Sequence, residues 1–313
     1  MILRPLTGQV YEAVTGFADH LQQELGPDTV SWGPLYYREH PDGIGQGPGF
    51  WNRNSWLAPF QLTFDSIAEA ATTLRGIQRN WAPTLFTQFR RGALIQSQLP
   101  SLTAKPRRFP WRLPDVPMGA WTLLDSHTMI ASATCSSPFP GGIITFEEDT
   151  AGPPSRAYLK LWEALVRLRQ WPGPGERCLD AGASPGGWTW ALARLGARVI
   201  AVDRAPLADR VLAMPGVQWI RHDAFTLKPE DLGPIEWLCC DVIGYPARLY
   251  PWIERWLDSG LCKNCICTIK MQGKPDKEQR ELSQRFAALP GSTVVHLYHN
   301  KHELTWMRAL KPG

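Results

Sequence analysis

A glycine-rich segment in the second half of the chain has the composition of a cofactor-binding loop. Residues 180–187 run Asp-Ala-Gly-Ala-Ser-Pro-Gly-Gly, at the end of an apolar run over 178–182 and before an apolar helix predicted over 188–195. Glycines let a backbone approach a ligand closely, and the free N–H groups of a helix N-terminus attract polar ligands. The GxxxGG spacing, with Pro185 inside the turn, differs from the GxGxxG of dinucleotide-binding folds.

Two acidic residues follow this loop at positions suited to a nucleoside. Asp203 ends the next predicted strand, 21 positions after Gly182 (203 − 182), and can accept both ribose hydroxyls. Asp223 follows a third strand, where it can meet an adenine amino group; the alternative for both acids is a solvated loop end. The phosphate-cradling glycine pattern is missing, so we expect S-adenosylmethionine (SAM) rather than NAD. The predicted cofactor-binding residues are Asp180, Gly182, Ser184, Pro185, Gly186, Gly187, Trp188, Asp203, Asp223 and Asp241.

The elements that must position this loop alternate between strand-like and helix-like patterns. Strands are predicted over 178–182, 198–203, 217–221, 235–241, 265–271, 293–298 and 304–310, and helices over 188–195, 246–257 and 277–289. This alternation predicts parallel strands with crossover helices, and the two closely spaced final strands predict an antiparallel edge. We therefore expect an α/β fold: a Rossmann-like, SAM-dependent methyltransferase domain over 151–313, with a seven-stranded, mostly parallel doubly wound sheet.

The loop sequence Asp-Ala-Gly-Ala-Ser-Pro-Gly-Gly-Trp-Thr resembles the SAM loop of the FtsJ-like ribose 2′-O-methyltransferases. Over residues 140–310 the chain most resembles the bacterial large-subunit rRNA (cytidine-2′-O)-methyltransferase M family. Four further motifs carry the resemblance: Ser-Arg-Ala-Tyr-Leu-Lys160, Cys-Cys-Asp241, Thr-Ile-Lys270-Met and Lys-His-Glu303-Leu-Thr. The resemblance implies a catalytic tetrad of Lys160, Asp241, Lys270 and Glu303.

The chemistry of such a tetrad suits a ribose hydroxyl, which must lose its proton as it attacks a methyl group. A lysine serves as base when burial and a neighbouring cation depress its pKa. We expect Lys270 to be the base and Lys160 to orient the hydroxyl and stabilise the developing oxyanion. Asp241 would orient Lys270, and Glu303 would hold Lys160 and the ribose, although carboxylates oppose the depression of a lysine pKa. Each residue alone is also compatible with a solvated surface position.

The first half, residues 1–150, is rich in Pro, Gly and Trp, and we expect a smaller α+β RNA-recognition domain there. Eight basic residues and no acidic residue lie between Ala70 and Pro114, interleaved with aromatic residues. This composition suits RNA, since arginine neutralises phosphates and aromatic rings stack on unpaired bases; the alternative is a basic surface over core aromatics. The predicted RNA-binding residues are Arg90, Arg91, Lys105, Arg107, Arg108 and Arg112. The glycine-rich segment 43–49 follows no predicted strand, so we expect a turn there.

Length, net charge and composition restrict the class of protein further. The 313 residues carry a net charge of +4, so any contact with nucleic acid must be local. No apolar stretch is long enough for a membrane span or a signal peptide, so we expect a soluble cytoplasmic protein, a monomer or weak oligomer. Cys262 and Cys265 form a lone CxxC, and we expect core thiols and no metal.

Three hypotheses follow for the function. The first is a 2′-O-methyltransferase of 23S large-subunit rRNA. The second is the same reaction on tRNA, a messenger cap or another RNA, which would differ only in the N-terminal half. The third is a non-catalytic RNA-binding or ribosome-assembly protein with a vestigial SAM pocket; the complete set of motifs favours an enzyme.

Overall fold

The computed structural model describes residues 1–40, 49–102, 105–242, 246–271 and 277–310, so most of the segment 43–49 lies outside the described residues. The chain forms two compact units: unit 1 is Met1–Pro106 with Leu113–Thr145, and unit 2 is Arg107–Arg112 with Phe146–Gly313.

Residues 107–112, which we predicted within the N-terminal domain, therefore belong to unit 2. The reason is that these residues contact residues of unit 2 that lie much later in the chain. Arg107 forms a β-bridge with Phe146, and the ring of Phe109 stacks on Trp162 with centroids 4.8 Å apart.

Unit 1 is an α+β structure built on two sheets. Its strands and helices are β1 (Ile2–Pro5), β2 (Gly8–Ala13), α1 (Ala18–Leu25), β3 (Thr29–Trp32), β4 (Leu35–Glu39), β5 (Asn52–Trp56), β6 (Pro59–Thr63), α2 (Ile67–Ile77), β7 (Trp81–Pro83), α3 (Phe89–Ser97), β8 (Gly119–Leu123) and β9 (Thr128–Ser132). One sheet has the order β1-β6-β9-β8-β7 and the other the order β3-β4-β2-β5. Helices α2 and α3 pack together, and the core beneath the first sheet contains Phe64, Trp81 and Trp121.

Unit 2 contains the predicted doubly wound sheet. Its strands and helices are α4 (Tyr158–Leu168), β10 (Arg177–Ala181), α5 (Gly187–Arg194), β11 (Arg198–Asp203), α6 (Asp209–Leu212), β12 (Val217–Arg221), α7 (Pro229–Leu232), β13 (Ile235–Cys240), α8 (Pro246–Asp258), β14 (Cys262–Lys270), α9 (Lys277–Ala288), β15 (Ser292–Val295) and β16 (Glu303–Arg308). Among the described residues the sheet has seven strands in the order β12-β11-β10-β13-β14-β16-β15. The first five are parallel, and β16 is antiparallel to both β14 and β15. The predicted fold class is confirmed.

The strand order reverses beside β10, because the chain leaves β10 for β11 on one side and later returns to β13 on the other. Ligands of such sheets bind at this reversal, beyond the carboxyl ends of the strands. The loops after β10 and β13 meet there, and Asp241 N–H donates to the carbonyl of Ala181 at 3.1 Å. The positive φ of +79° at Gly182 suits glycine, and a Cβ there would lie 2.8 Å from the Cα of Val242.

The final strand pair is shorter than predicted at one end. We predicted a strand over 293–298, but β15 ends at Val295. The backbone N–H groups of Tyr298 and His299 instead donate to the carboxylate of Glu163, a residue of α4. A side chain distant in the sequence thus replaces the partner strand.

Two further observations concern the described residues as a whole. Cys262 and Cys265 are buried, with their sulfur atoms 3.4 Å apart, and both are free thiols. None of the described helices combines the length and apolar character that crossing a membrane requires.

Candidate active site

The four residues of the predicted tetrad lie together at the carboxyl edge of the unit 2 sheet. Lys160 Nζ lies 2.7 Å from Asp241 Oδ2 and 3.1 Å from Glu303 Oε1. Lys270 Nζ lies 2.7 Å from Asp241 Oδ1 and 3.8 Å from Glu303 Oε1. The two carboxylates therefore bridge the two lysines, and all four side chains are at most 18% exposed.

Four separate elements bring these side chains together, one for each residue, and Asp241 directly follows β13. Lys270 is the last residue of β14 and pairs directly with Glu303, the first residue of β16. Lys160 projects from the first turn of α4. The start of α4 is held by the indole of Trp188, whose Nε1 donates to the carbonyl of Ala157 at 2.8 Å.

Thr268 is a member of the cluster that we did not predict. Its hydroxyl donates to Asp241 Oδ1 at 2.7 Å, the same oxygen that accepts from Lys270. Residues i and i+2 of a strand share one face, so Thr268 lies on the same face of β14 as Lys270. That period of two is the signal that could have identified Thr268.

The charges of the cluster reinforce one another. Burial opposes the charged form of Lys160, but the carboxylates of Asp241 and Glu303 outweigh it and raise the pKa of that ammonium above its usual value. Burial likewise opposes ionisation of Asp241, and the two lysines prevail and lower the pKa of that carboxyl group. At neutral pH Lys160 is therefore an ammonium group and Asp241 a carboxylate.

A cleft of about 440 Å³ opens beside the tetrad, within the usual range of small-molecule sites of about 300–1,000 Å³. Its lining includes Gly182, Ser184, Asp203, Asp223, Asp241 and Lys270. The carboxylate of Asp203 is held in place by backbone donors, since Oδ2 accepts from Ser184 N–H at 3.0 Å and Oδ1 from Ala205 N–H at 2.9 Å.

The carboxylate of Asp223 is already engaged by protein groups. It forms an ion pair with Arg204, and Arg248 Nη2 lies 3.7 Å away. Its other oxygen accepts from Phe225 N–H at 3.1 Å. The guanidinium of Arg248 lies 5.1 Å from the centroid of the Phe225 ring. An adenine amino group would have to share this carboxylate with Arg204.

Five of the predicted cofactor residues are not among the described residues that line this cleft: Asp180, Pro185, Gly186, Gly187 and Trp188. The side chain of Asp180 is fully buried, and Oδ2 accepts from the Thr189 hydroxyl at 2.6 Å. Burial raises the pKa of Asp180 to about 7. These residues shape the loop and its junction with α5.

The predicted RNA-binding residues are divided between the two units. Arg90, Arg91 and Lys105 belong to unit 1, whereas Arg107, Arg108 and Arg112 belong to unit 2. All but the half-buried Arg91 are exposed.

Phe89, the residue before Arg90, is 63% exposed at the start of α3. It lines a groove of about 530 Å³ together with Ile67, Arg90, Arg91 and Leu94. By contrast, Phe109 is packed on Trp162, so the interleaved aromatic residues do not form one surface.

Comparisons with known proteins identify the family of the chain. Residues 153–279 match the model of the FtsJ-like methyltransferase family. The protein named Ribosomal RNA large subunit methyltransferase M from Azoarcus sp. (strain BH72) is 34% identical over 208 residues, covering 59% of this chain and 56% of that protein. The protein of the same name from Xanthomonas campestris pv. campestris (strain B100) is 32% identical over 252 residues, covering 76% of this chain and 68% of that protein.

The alignment with the Azoarcus protein covers little more than half of that relative's length. Among solved structures, a fibrillarin pre-rRNA processing protein from Methanococcus jannaschii aligns at 19% identity over 49% of this chain and 75% of that one, with a TM-score of 0.37 that carries no functional weight. The sequence matches and the family model together show that the chain belongs to the FtsJ-like methyltransferases, as a relative of the ribosomal RNA large subunit methyltransferase M proteins.

Proposed function

We propose that the chain is a SAM-dependent ribose 2′-O-methyltransferase that acts on RNA in the cytoplasm, with 23S large-subunit rRNA as its substrate. The observation that carries the proposal is the carboxylate of Asp241, which bridges Lys160 and Lys270 at the wall of a cleft of nucleoside size. The names of the relatives support rRNA as the substrate.

The polar groups of the cleft fit SAM. Asp203, fixed by two backbone N–H groups, would accept the ribose hydroxyls, and the backbone of Gly182 and Ser184 would border the amino-acid portion. Asp223 would meet the adenine edge. When bound, SAM supplies an electrophilic methyl group on a sulfonium sulfur.

Of the two lysines, Lys270 is the better base by position. Lys270 lines the cleft where the methyl group would lie, whereas Lys160 does not belong to that lining. As the general base, the amine form of Lys270 accepts the 2′-hydroxyl proton. Asp241 fixes the direction of that nitrogen through a 2.7 Å contact.

Lys160 suits the complementary role. Two carboxylates keep it protonated, so its charge can stabilise the oxygen as negative charge develops there. Glu303, which contacts both lysines, fixes their spacing. Alignment of the hydroxyl with the methyl group then supplies much of the rate.

The exposed ring of Phe89 and the neighbouring Arg90 and Arg91 support RNA binding by unit 1. A ring that is 63% exposed can stack on an unpaired base, and the arginines can neutralise its phosphates. The stretch between Ala70 and Pro114 has no acidic residue to oppose this attraction. An affinity for RNA that falls steeply with salt is therefore expected.

The decisive experiment maps ribose methylation in the rRNA and tRNA of cells with and without the protein. Loss of one 2′-O-methyl group from 23S rRNA is the expected result, and purified protein should restore it to that RNA in the presence of SAM. Loss confined to tRNA would favour the second hypothesis. Unchanged methylation of every RNA, with SAM binding retained, would reject the enzyme in favour of a vestigial pocket.

A further inference from the structure

We propose that Glu163 is a positioning residue that fixes Glu303 relative to Lys160, an inference that rests on the proposed function. Glu163 lies on α4, one turn after Lys160, and its side chain is fully buried. Among the described residues, Glu163 forms no hydrogen bond with a member of the tetrad. Its contacts are instead with the segment that leads into Glu303.

The carboxylate of Glu163 holds this segment by both of its oxygens. Oε1 accepts from Tyr298 N–H at 3.0 Å, and Oε2 accepts from His299 N–H at 3.1 Å. Oε2 also lies 2.8 Å from His299 Nδ1. Because the carboxylate cannot donate, the ring nitrogen is the donor.

An ion pair with Arg167 adds to these contacts of Glu163. Arg167, one turn further along α4, places its guanidinium 2.9 Å from Glu163 Oε1. Burial opposes ionisation of Glu163, but Arg167 and the donors of His299 outweigh it and hold the pKa of the carboxyl group below its usual value. The group is therefore an anion surrounded by donors.

Hydrogen bonds connect the segment that contacts Glu163 with Glu303. Asn300 Nδ2 donates to the carbonyl of Glu303 at 2.9 Å and to the hydroxyl of Thr305 at 3.0 Å. His302 N–H donates to Glu303 Oε2 at 3.1 Å. A displacement of the turn at 298–300 is therefore passed on to Glu303.

These contacts of Glu163 also provide partners for a charge that α4 buries. Nine successive residues, from Tyr158 to Val166, are buried, and two of them are charged. A buried charge needs partners, and Lys160 finds them in Asp241 and Glu303. Glu163 finds its partners in the segment that carries Glu303. One helix thus fixes Glu303 twice, directly through Lys160 and indirectly through the turn.

The substitution Glu163→Gln tests the proposal with little change in volume. The groups that face Glu163 are donors, so the new amide NH2 must turn toward a donor and displace the turn. We expect kcat to fall on the order of 10-fold to 100-fold, because misplacements of about 1 Å have effects of that size. The Kd for SAM and the KM for RNA should stay unchanged.

Glu176→Gln is the matched control. Glu176 also accepts from a backbone N–H, that of Gly173, and from a ring nitrogen, that of Trp237, but at the opposite edge of the same sheet. It should leave kcat unchanged. Equal losses of kcat in both variants would show a general effect on folding and would overturn the proposal.

The titration of Lys160 gives a readout that does not depend on turnover. The groups that face Lys160 are Asp241 and Glu303, with Lys270 beyond them; those that face Glu163 are Arg167 and His299, with His296 nearby. If Glu303 moves away in Glu163→Gln, Lys160 loses a carboxylate neighbour. Nitrogen NMR should then show a lower pKa for Lys160, and the alkaline limb of the pH–rate profile should move to lower pH.

His299→Ala provides a second variant if Glu163→Gln does not fold. It removes the ring donor and keeps both backbone donors. The kcat of this variant should therefore lie between that of the wild type and that of Glu163→Gln. A folded variant of either kind with unchanged kcat and an unchanged Lys160 titration would overturn the proposal. Absence of methyl transfer by the wild-type chain would reject the proposed function, whereas the Lys160 titration would still decide the positioning role.

Discussion

Lys270 and Glu303 lie directly opposite each other on the antiparallel strands β14 and β16. The pairing register therefore places a lysine and a glutamate side by side on the two strands. A shift of one residue would turn one of the two side chains to the other face of the sheet. The geometry of the tetrad thus depends on backbone pairing as much as on side-chain contacts.

Removing the proposed base should separate binding from chemistry. In Lys270→Ala we expect kcat to fall on the order of 10²-fold to 10⁴-fold, the usual contribution of a general base. SAM should still bind, because Asp203 and the glycine loop are untouched; calorimetry and transfer of a labelled methyl group measure the two effects. Lys263→Ala is the control, since Lys263 lies at the exposed start of the same strand. Retained methyl transfer in Lys270→Ala would reject Lys270 as the base.

Thr268→Val should weaken catalysis without abolishing it. The substitution removes the hydroxyl that donates to Asp241 Oδ1 at 2.7 Å, and Asp241 keeps both lysines. A hydrogen bond to a charged group contributes about 1.5–3 kcal/mol, so we expect kcat to fall by roughly 10-fold and stability by a similar free energy. Thr268→Ser should restore both values. Equal kcat in the Val and Ser variants would contradict a role for the hydroxyl.

Asp180 should make folding stability depend on pH. Its pKa is raised to about 7 by burial, and Oδ1 has no hydrogen-bond partner among the described residues. Because the folded state binds this proton more tightly than the unfolded state, the free energy of unfolding should fall as pH rises from about 4 to about 7. In Asp180→Asn this part of the decline should disappear. Denaturant unfolding of both proteins at pH 5 and pH 8 measures it; identical declines would contradict the prediction.

Arg204 should compete with the cofactor for Asp223. Its guanidinium is paired with Asp223 although the Arg204 side chain is 77% exposed. An exposed pair contributes about 0–1 kcal/mol, so Arg204→Ala should tighten SAM binding by up to about 5-fold. Asp223→Ala should weaken it. Titration calorimetry distinguishes the cases, and weaker binding in Arg204→Ala would identify Arg204 as a cofactor contact instead.

Much of the unit 2 fold was predictable because its signals are local. The apolar runs, the glycine turn and the acid at the end of β11 all lie within short windows of sequence, and the structure places β11 at the predicted Arg198–Asp203. The motifs around Lys160, Asp241, Lys270 and Glu303 also identified side chains that the structure brings together.

The contacts that escaped prediction join residues far apart in the chain. Glu163 and Tyr298 are separated by 135 positions. No local sequence pattern therefore predicts this contact or the early end of β15. The ion pair of Asp223 with Arg204 and the position of Arg107–Arg112 in unit 2 are of the same kind. Such contacts are decided by packing, which a periodic pattern does not encode.

The assignment of Arg107–Arg112 to unit 2 has a consequence for how the chain can be divided. The polypeptide passes between the units at three points, after Pro106, after Arg112 and after Thr145. A single proteolytic cut or gene-fusion junction near residue 150 would therefore leave a catalytic fragment without Phe109, and would expose the face of Trp162 on which that ring stacks. Exchange of unit 1 between relatives would have to retain this hexapeptide as part of unit 2.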